Sequence, residues 1–231
     1  MTQKIAVVTG GTRGIGKAIA ERLSQEYFVL TCSRSGSTYQ RNYACDVTSK
    51  EQVKAFAEDV KRRFGGIDIL VNNAGGCAQK EYSFSDLELN EADRVMALNT
   101  QSVLYVTHAF WKLLCPGSSI VNVSSTLARH RPLPGKMLYS VSKAALEVIT
   151  KYQASEGAPL GIRANCIMPG PVNTDLLRSH FFQDGEFKQD AFTGFTASLP
   201  LSRISSPEEI ADVVYFACKS PGLTGQTISL D

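Results

Sequence analysis

The segment Tyr139-Ser140-Val141-Ser142-Lys143 sets a phenol and a primary amine four residues apart. On a helix that spacing is about one turn, so both side chains leave from one face. An ammonium beside a phenol favours the phenolate and draws the tyrosine pKa toward neutrality. A tyrosine tuned in this way donates a proton to a carbonyl as it is reduced, or takes one from an alcohol. Taken alone, the same spacing also describes a core tyrosine beside a solvated lysine, so the rest of the chain has to decide.

A second constellation binds rather than reacts. Thr9-Gly10-Gly11-Thr12-Arg13-Gly14-Ile15-Gly16 lies between an apolar run, Lys4–Thr9, and an amphipathic stretch, Ile15–Gln25. Glycines permit a tight turn and let the backbone approach a pyrophosphate, whose charge is favoured at a helix N-terminus. Gly10, Thr12, Arg13, Gly14, Ile15 and Gly16 are the candidate contacts; the plain alternative is an ordinary Gly-rich turn. The next strand pattern, Phe28–Cys32, runs into Ser33 and Arg34. An NAD-binding domain usually has an acidic residue here for the ribose hydroxyls, whereas NADP needs a cation for its 2′-phosphate. Ser33 and Arg34, with Arg13 from the Gly loop, therefore favour NADP(H) over NAD(H), because a guanidinium fork suits a phosphate. Asp46, with Val47 beside it, reads as an acceptor for the adenine amino group, or as a helix cap, a task that Thr48 or Ser49 would do better.

These residues need a frame, and the sequence describes one. Strand patterns at Lys4–Thr9, Phe28–Cys32, Asn42–Cys45, Ile67–Val71, Ser119–Val123, Ile162–Ile167 and Gln226–Leu230 alternate with helical patterns. The helices are Ile15–Gln25, Val53–Phe64, Ala92–Leu114, Tyr139–Glu156 and Glu208–Cys218. That alternation predicts an α/β fold, one doubly wound parallel sheet with helices on both faces, of the Rossmann type. No linker or repeat divides residues 1–231. In such sheets ligands bind at the carboxyl ends of the strands. The polar segments Thr9–Gly16, Ser33–Arg34, Asp46, Asn72–Gly76, Ser124–Ser125 and Pro169–Thr174 all follow strands there.

Thr9–Gly16, Asn72-Asn73-Ala74-Gly75, Asn99, Val121–Ser125, Tyr139–Lys143 and Pro169-Gly170-x-x-x-Thr174 together resemble the classical short-chain dehydrogenase/reductase family, in the right order from Lys4 to Asp231. The resemblance implies roles at the matching positions. Tyr139 is the expected acid/base, and Lys143 lowers its pKa and holds the nicotinamide ribose. Ser125 polarises the substrate oxygen, with Ser124 the adjacent alternative, and Asn99 supports a water-linked proton relay to Lys143. Asn73, Ala74 and Gly75 line the ribose, while Pro169, Gly170, Val172 and Thr174 cover the nicotinamide. The nearest members in character are 3-oxoacyl-carrier-protein reductases and carbonyl reductases. Dehydrogenases of cyclic dihydrodiols, which usually use NAD, are similar in the short segment before Asp46.

Three departures from the family pattern stand out. Eleven residues separate Arg34 from Asp46, where the family commonly has a helix; Ser125 and Tyr139 lie fourteen positions apart, one more than usual; and the chain ends at Asp231, where relatives carry a short tail used in subunit contacts. A non-catalytic NADP-binding sensor would be expected to lack one of Asn99, Ser125, Tyr139 and Lys143. Sugar-nucleotide epimerases share the fold but use another glycine spacing and a longer C-terminal substrate region.

The segment Asp175–Leu199 holds Phe181, Phe182, Phe187, Phe192 and Phe195. It is expected to be a lid at about 175–200, its rings either lining an apolar pocket or packing short helices on the core. Arg129, His130 and Arg131 could meet an anionic substrate or carrier, though a solvated charge run explains them as well. His108 and Trp111 read as packing residues, on a helix that in relatives lies between subunits of a dimer or tetramer. With 24 Lys and Arg against 22 Asp and Glu, the net charge of +2 argues against a nucleic-acid binder. No apolar run is long enough to span a membrane, and the N-terminus does not read as a signal peptide. The six scattered cysteines read as buried residues of a reduced, cytoplasmic protein rather than metal ligands.

Overall fold

The computed structural model describes residues 3–35, 41–78, 82–129, 132–183 and 185–230. Seven strands, β1 (Ile5–Thr9), β2 (Phe28–Ser33), β3 (Asn42–Ala44), β4 (Ile67–Asn72), β5 (Leu114–Val123), β6 (Arg163–Pro169) and β9 (Thr227–Leu230), form one parallel sheet in the order β3-β2-β1-β4-β5-β6-β9. Strand order reverses between β1 and β4, so this is the doubly wound, Rossmann-type sheet that the alternating pattern predicts. Helices α1 (Gly14–Leu23) and α8 (Pro207–Lys219) cover one face. On the other lie α2 (Lys50–Phe64), α4 (Ser102–Phe110) and α5 (Met137–Gly157).

Alternation along β1 shows how the two layers are built. Ile5 and Val7 enter the α2/α4 core with Leu30, Phe56 and Phe110, while Ala6 and Val8 enter the α1/α8 core with Ile19, Leu23 and Val214. Both faces are dry, which is why β1 is apolar throughout. Burial of the β-branched and aliphatic side chains at about 25 cal/mol per Å² drives the assembly. Where β2 and β3 pair, the described side chains include a polar cluster. Asn42 Oδ1 accepts from Thr31 Oγ1 at 3.2 Å, and Asn42 Nδ2 donates to Ser33 Oγ at 3.1 Å.

Several elements differ from expectation. The single long helix expected over Ala92–Leu114 is instead α3 (Leu89–Met96), a π-turn (Ala97–Gln101), α4, and a 3-10 turn (Trp111–Leu113). Its last expected residue, Leu114, already pairs with Ile67 in the sheet. The widened π-turn lets Asn99 and Thr100 both point inward and be buried. Strand β5 starts five residues early, because Ser118 Oγ bonds Ile67 O at 2.9 Å and receives Cys115 N at 2.9 Å, holding Cys115–Gly117 outside the ladder. The 175–200 segment contains α6 (Asp175–Ser179), a hairpin of β7 (Phe182–Gln183) and β8 (Glu186–Phe187), and α7 (Gln189–Ala197). Its five phenylalanines pack on one another, with neighbouring ring centroids 5.1–5.4 Å apart. Of the six cysteines only Cys32, Cys45, Cys166 and Cys218 are buried; Cys77 is half-buried and Cys115 exposed.

Candidate active site

The Gly loop leaves β1 and turns into α1 over Thr31 and Asn73. Gly10 and Gly14 adopt φ of 65° and 52°, where a side chain is strained. A Cβ on Gly16 would lie 2.2 Å from Gly10 O and 2.3 Å from Asn73 Nδ2, and one on Gly11 would lie 2.5 Å from Thr31 Cγ2. Arg13, the residue before α1, makes no side-chain cap, so the first amides of the helix lack a capping partner there. A bare helix start behind a glycine cradle fits a pyrophosphate. Gly16→Ala is therefore expected to cost about 1–3 kcal/mol or more and to lower Tm by roughly 5–10 °C, with loss of dinucleotide binding. Thermal melts with and without added dinucleotide check this; a variant as stable and as ligand-responsive as wild type would refute the cradle.

Asn73 holds that cradle in place. Its Nδ2 donates to Thr9 O at 2.9 Å and Gly10 O at 3.2 Å, and the amides of Asn73 and Ala74 donate to Thr9 Oγ1 at 3.0 and 3.1 Å. The Asn73 side chain thus faces the loop. Sequence reasoning gives Thr9 no role of its own; its place as the last residue of β1 is the only signal. At the end of β2, Ser33 Oγ turns to Ser35 O, while Arg34 and Arg13 are exposed and have no ion-pair partner among the described residues. Asp46 Oδ1 accepts from Thr48 N and Oγ1 at 2.9 and 2.8 Å; Val47 is buried, and Ser49 caps α2.

The reactive groups come together at the ends of β4, β5 and α5. Lys143 is buried, and its Nζ donates to Val123 O at 2.8 Å. Burial pushes its pKa down to about 8. Nζ stands 5.9 Å from the centre of the Tyr139 ring. Burial raises the Tyr139 phenol well above its usual range, with the Cys77 thiol adding to the rise and a hydrogen bond with Ser125 opposing it. The lowering expected from Lys143 is not seen: desolvation dominates at Tyr139 and moves its pKa upward. Ser125 is the serine beside the phenol. Ser124 Oγ is committed to Lys143 O at 2.7 Å.

Asn99 is fixed by three bonds, accepting Gly76 N at 2.9 Å and donating to Gly76 O at 2.8 Å and to Ser142 Oγ at 2.9 Å. Ser142 Oγ in turn donates to Tyr139 O at 2.8 Å, so it ties Asn99 to the turn bearing the phenol. Sequence reasoning passes over Ser142, although it lies within the Tyr139–Lys143 segment. A Cβ on Gly75 would stand 3.0 Å from both Asn99 Oδ1 and Lys143 Nζ, which places both groups against that glycine. Across the crevice, Pro169 ends β6, Gly170 N bonds Leu230 O at 2.6 Å, Val172 is buried, and Thr174 Oγ1 caps α6. The Thr174 methyl carbon would be 3.4 Å from a Cβ on Gly14, so this segment closes over the Gly loop. Arg129 is paired with Glu147, while His130 and Arg131 lie outside the described residues, as do residues 36–40 and Asp231. His108 is exposed on the outer side of α4, and Trp111, in the turn after it, is half-buried.

Known proteins share this assembly. Residues 10–231 match the family model described as enoyl-(acyl carrier protein) reductase. Carbonyl reductase family member 4 of Xenopus laevis is 30% identical, over 99% of this chain and 96% of its own length. The 3-oxoacyl-[acyl-carrier-protein] reductase of Aquifex aeolicus is 31% identical over the same shares, 99% and 96%. Among solved structures, the ligand-free aldohexose dehydrogenase of Thermoplasma acidophilum superposes with a TM-score of 0.92 at 30% identity, covering 99% of this chain and 92% of that one. A variant actinorhodin polyketide ketoreductase with NADPH gives 0.90 at 28% identity, covering 99% and 95%. With the sheet order, the glycine cradle and the Asn99–Ser125–Tyr139–Lys143 cluster already in hand, these matches place the chain in the short-chain dehydrogenase/reductase family of oxidoreductases.

Proposed function

We propose that the protein reduces a ketone or 3-oxoacyl thioester to the alcohol with NADPH, Tyr139 being the proton donor. The observation that carries this reading is the cluster itself: Tyr139 and Lys143 leave α5 one turn apart, Lys143 Nζ stands 5.9 Å from the Tyr139 ring centre, and Asn99 and Lys143 both lie against Gly75. When bound, NADPH supplies the hydride that the carbonyl carbon accepts. Tyr139 Oη then gives its proton to the developing alkoxide, and Ser125 Oγ orients that oxygen between the two hydroxyls. Lys143 Nζ holds the nicotinamide ribose and restores the phenol's proton through a water-linked relay supported by Asn99. Gly10, Thr12, Gly14, Ile15 and Gly16 cradle the pyrophosphate, and Arg13, Ser33 and Arg34 take the 2′-phosphate. Asp46 and Val47 meet the adenine; Asn73, Ala74 and Gly75 line the ribose; Pro169, Gly170, Val172 and Thr174 cover the nicotinamide.

The 175–200 segment acts as the substrate lid of this single-domain protein. The outward faces of α4 and α5 carry exposed Leu104, Val141, Val148 and Tyr152, which supports a homo-oligomer, a dimer or tetramer, joined through those helices. Among the described residues no helix is long and apolar enough to cross a membrane, and a reducing, cytoplasmic setting suits six unpaired cysteines. A second reading, oxidation of a secondary alcohol or cyclic dihydrodiol, draws on the likeness to aldohexose dehydrogenase. The test is NADPH oxidation with a panel of ketones and 3-oxoacyl thioesters, for wild type and Ser125→Ala. Turnover that falls by about 10²-fold in the variant supports the reading. No carbonyl turnover, with alcohol oxidation instead, supports the second.

A further inference from the structure

The geometry points to an anion subsite centred on Arg178, and hence to a substrate whose carbonyl sits on an apolar body ending in an oxyanion, a carboxylate or a phosphate. This deepens the reductase reading and rests on it. Arg178 Nε donates to Asn173 Oδ1 at 2.8 Å, which fixes the plane of the guanidinium. Among the described residues its terminal nitrogens have no acidic partner. Arg13 and Arg34 share that lack, whereas Arg22 pairs with Asp212, Arg94 with Glu91, Arg129 with Glu147 and Arg203 with Glu209.

What surrounds Arg178 is an amphiphilic receptor. The guanidinium carbon lies 5.6 Å from the centre of the Phe192 ring and 6.0 Å from that of Phe187. An open surface depression of about 460 Å³ is lined by Asp175, Arg178, Ser179, Phe182 and Phe187. Phe182 packs against Phe187 at 5.3 Å yet stays 55% exposed, so one aromatic face is available to a ligand. An oriented guanidinium fork beside uncovered aromatic surface suits an oxyanion carried on an apolar chain. Asp175 only accepts hydrogen bonds when ionised, so the oxyanion seats on the Arg178 side and any ligand group facing Asp175 is a donor or stays in water. Arg178 lies one turn along α6 from Thr174, its N donating to Thr174 O at 3.0 Å, and Thr174 is the residue that lies against Gly14 of the Gly loop.

The test uses matched carbonyls that differ in charge. For the carboxylate source they are 6-oxoheptanoate and its methyl ester; for the phosphate source, the acetoacetyl thioesters of 4′-phosphopantetheine and of pantetheine. Steady-state NADPH oxidation gives the ratio of kcat/KM for the charged over the neutral partner. Wild type should favour one charged compound by about tenfold or more, mainly through KM, and Arg178→Gln should bring that ratio close to one, with Arg178→Lys in between. The pair that shows the effect identifies the source of the oxyanion. Ratios near one in wild type, or a preference that survives Arg178→Gln, overturn the subsite. Saturation-transfer NMR of the same four compounds on the same proteins reads binding without turnover. If nothing is reduced, the reductase reading fails, and the charged-over-neutral binding ratio still decides the subsite by the same criterion.

Discussion

Tyr139→Phe is expected to lower kcat for carbonyl reduction by about 10²–10⁴-fold while leaving dinucleotide affinity nearly unchanged, because general acid catalysis contributes on that scale. The substitution removes one oxygen and keeps the ring that packs beside Lys143. Burial raises the phenol's pKa, so on the proposed reading Tyr139 starts each cycle protonated and reduction should not need prior protonation of the site. Initial rates of NADPH oxidation, paired with calorimetric titration of NADPH, check both halves. A variant with kcat within a few-fold of wild type would remove Tyr139 from the chemistry. Weakened NADPH binding would show that the phenol serves to hold the cofactor instead.

Lys143→Met should also abolish turnover, yet make the protein no less stable at neutral pH. Buried Lys143 has its pKa depressed from 10.5 to about 8, so below pH 8 the folded protein carries a desolvated ammonium. Between those two values the unfolded chain binds the extra proton, and wild-type stability rises with pH across that window through this group. Methionine has a similar volume and no charge to desolvate, and it lacks that rise. The Tm of the variant relative to wild type should therefore be highest near pH 7 and fall as pH approaches 10. Tyr139, Cys77 and Cys166 also face Lys143, and they are common to both proteins, so the difference isolates the lysine. Melting curves at the two pH values decide it; a Tm difference that grows with pH would contradict the burial argument. Such a lysine is retained at a stability cost where a site needs it.

How much of this could be read from residues alone differs by element. The apolar runs at Ile5–Thr9, Phe28–Ser33 and Ile67–Asn72 announce the sheet because strands dry on both faces leave little polar interruption. The glycine spacing and the Tyr139/Lys143 pair announce the site because backbone approach and one helical turn are local facts. What stays hidden depends on distant partners. A π-turn has no sequence period, so nothing in Ala97–Gln101 warns that Thr100 faces inward together with Asn99. The early start of β5 requires Ile67, far upstream in the chain, to offer its carbonyl to Ser118. The inward turn of the Asn73 amide toward Thr9 and Gly10, and the desolvation that raises the Tyr139 pKa, likewise belong to packing that only the folded chain has.

If the crevice at the ends of β1, β2, β4, β5 and β6 is built for NADPH, its affinity for the two nicotinamide cofactors must differ. NADPH and NADH are titrated separately against wild type and Arg34→Ala. Wild type is expected to bind NADPH about 10- to 100-fold more tightly than NADH, the scale of one or two charge-assisted phosphate contacts, and Arg34→Ala to erase most of that margin. Equal or tighter binding of NADH by wild type would contradict the 2′-phosphate assignment to Arg13, Ser33 and Arg34 and put alcohol or dihydrodiol oxidation first.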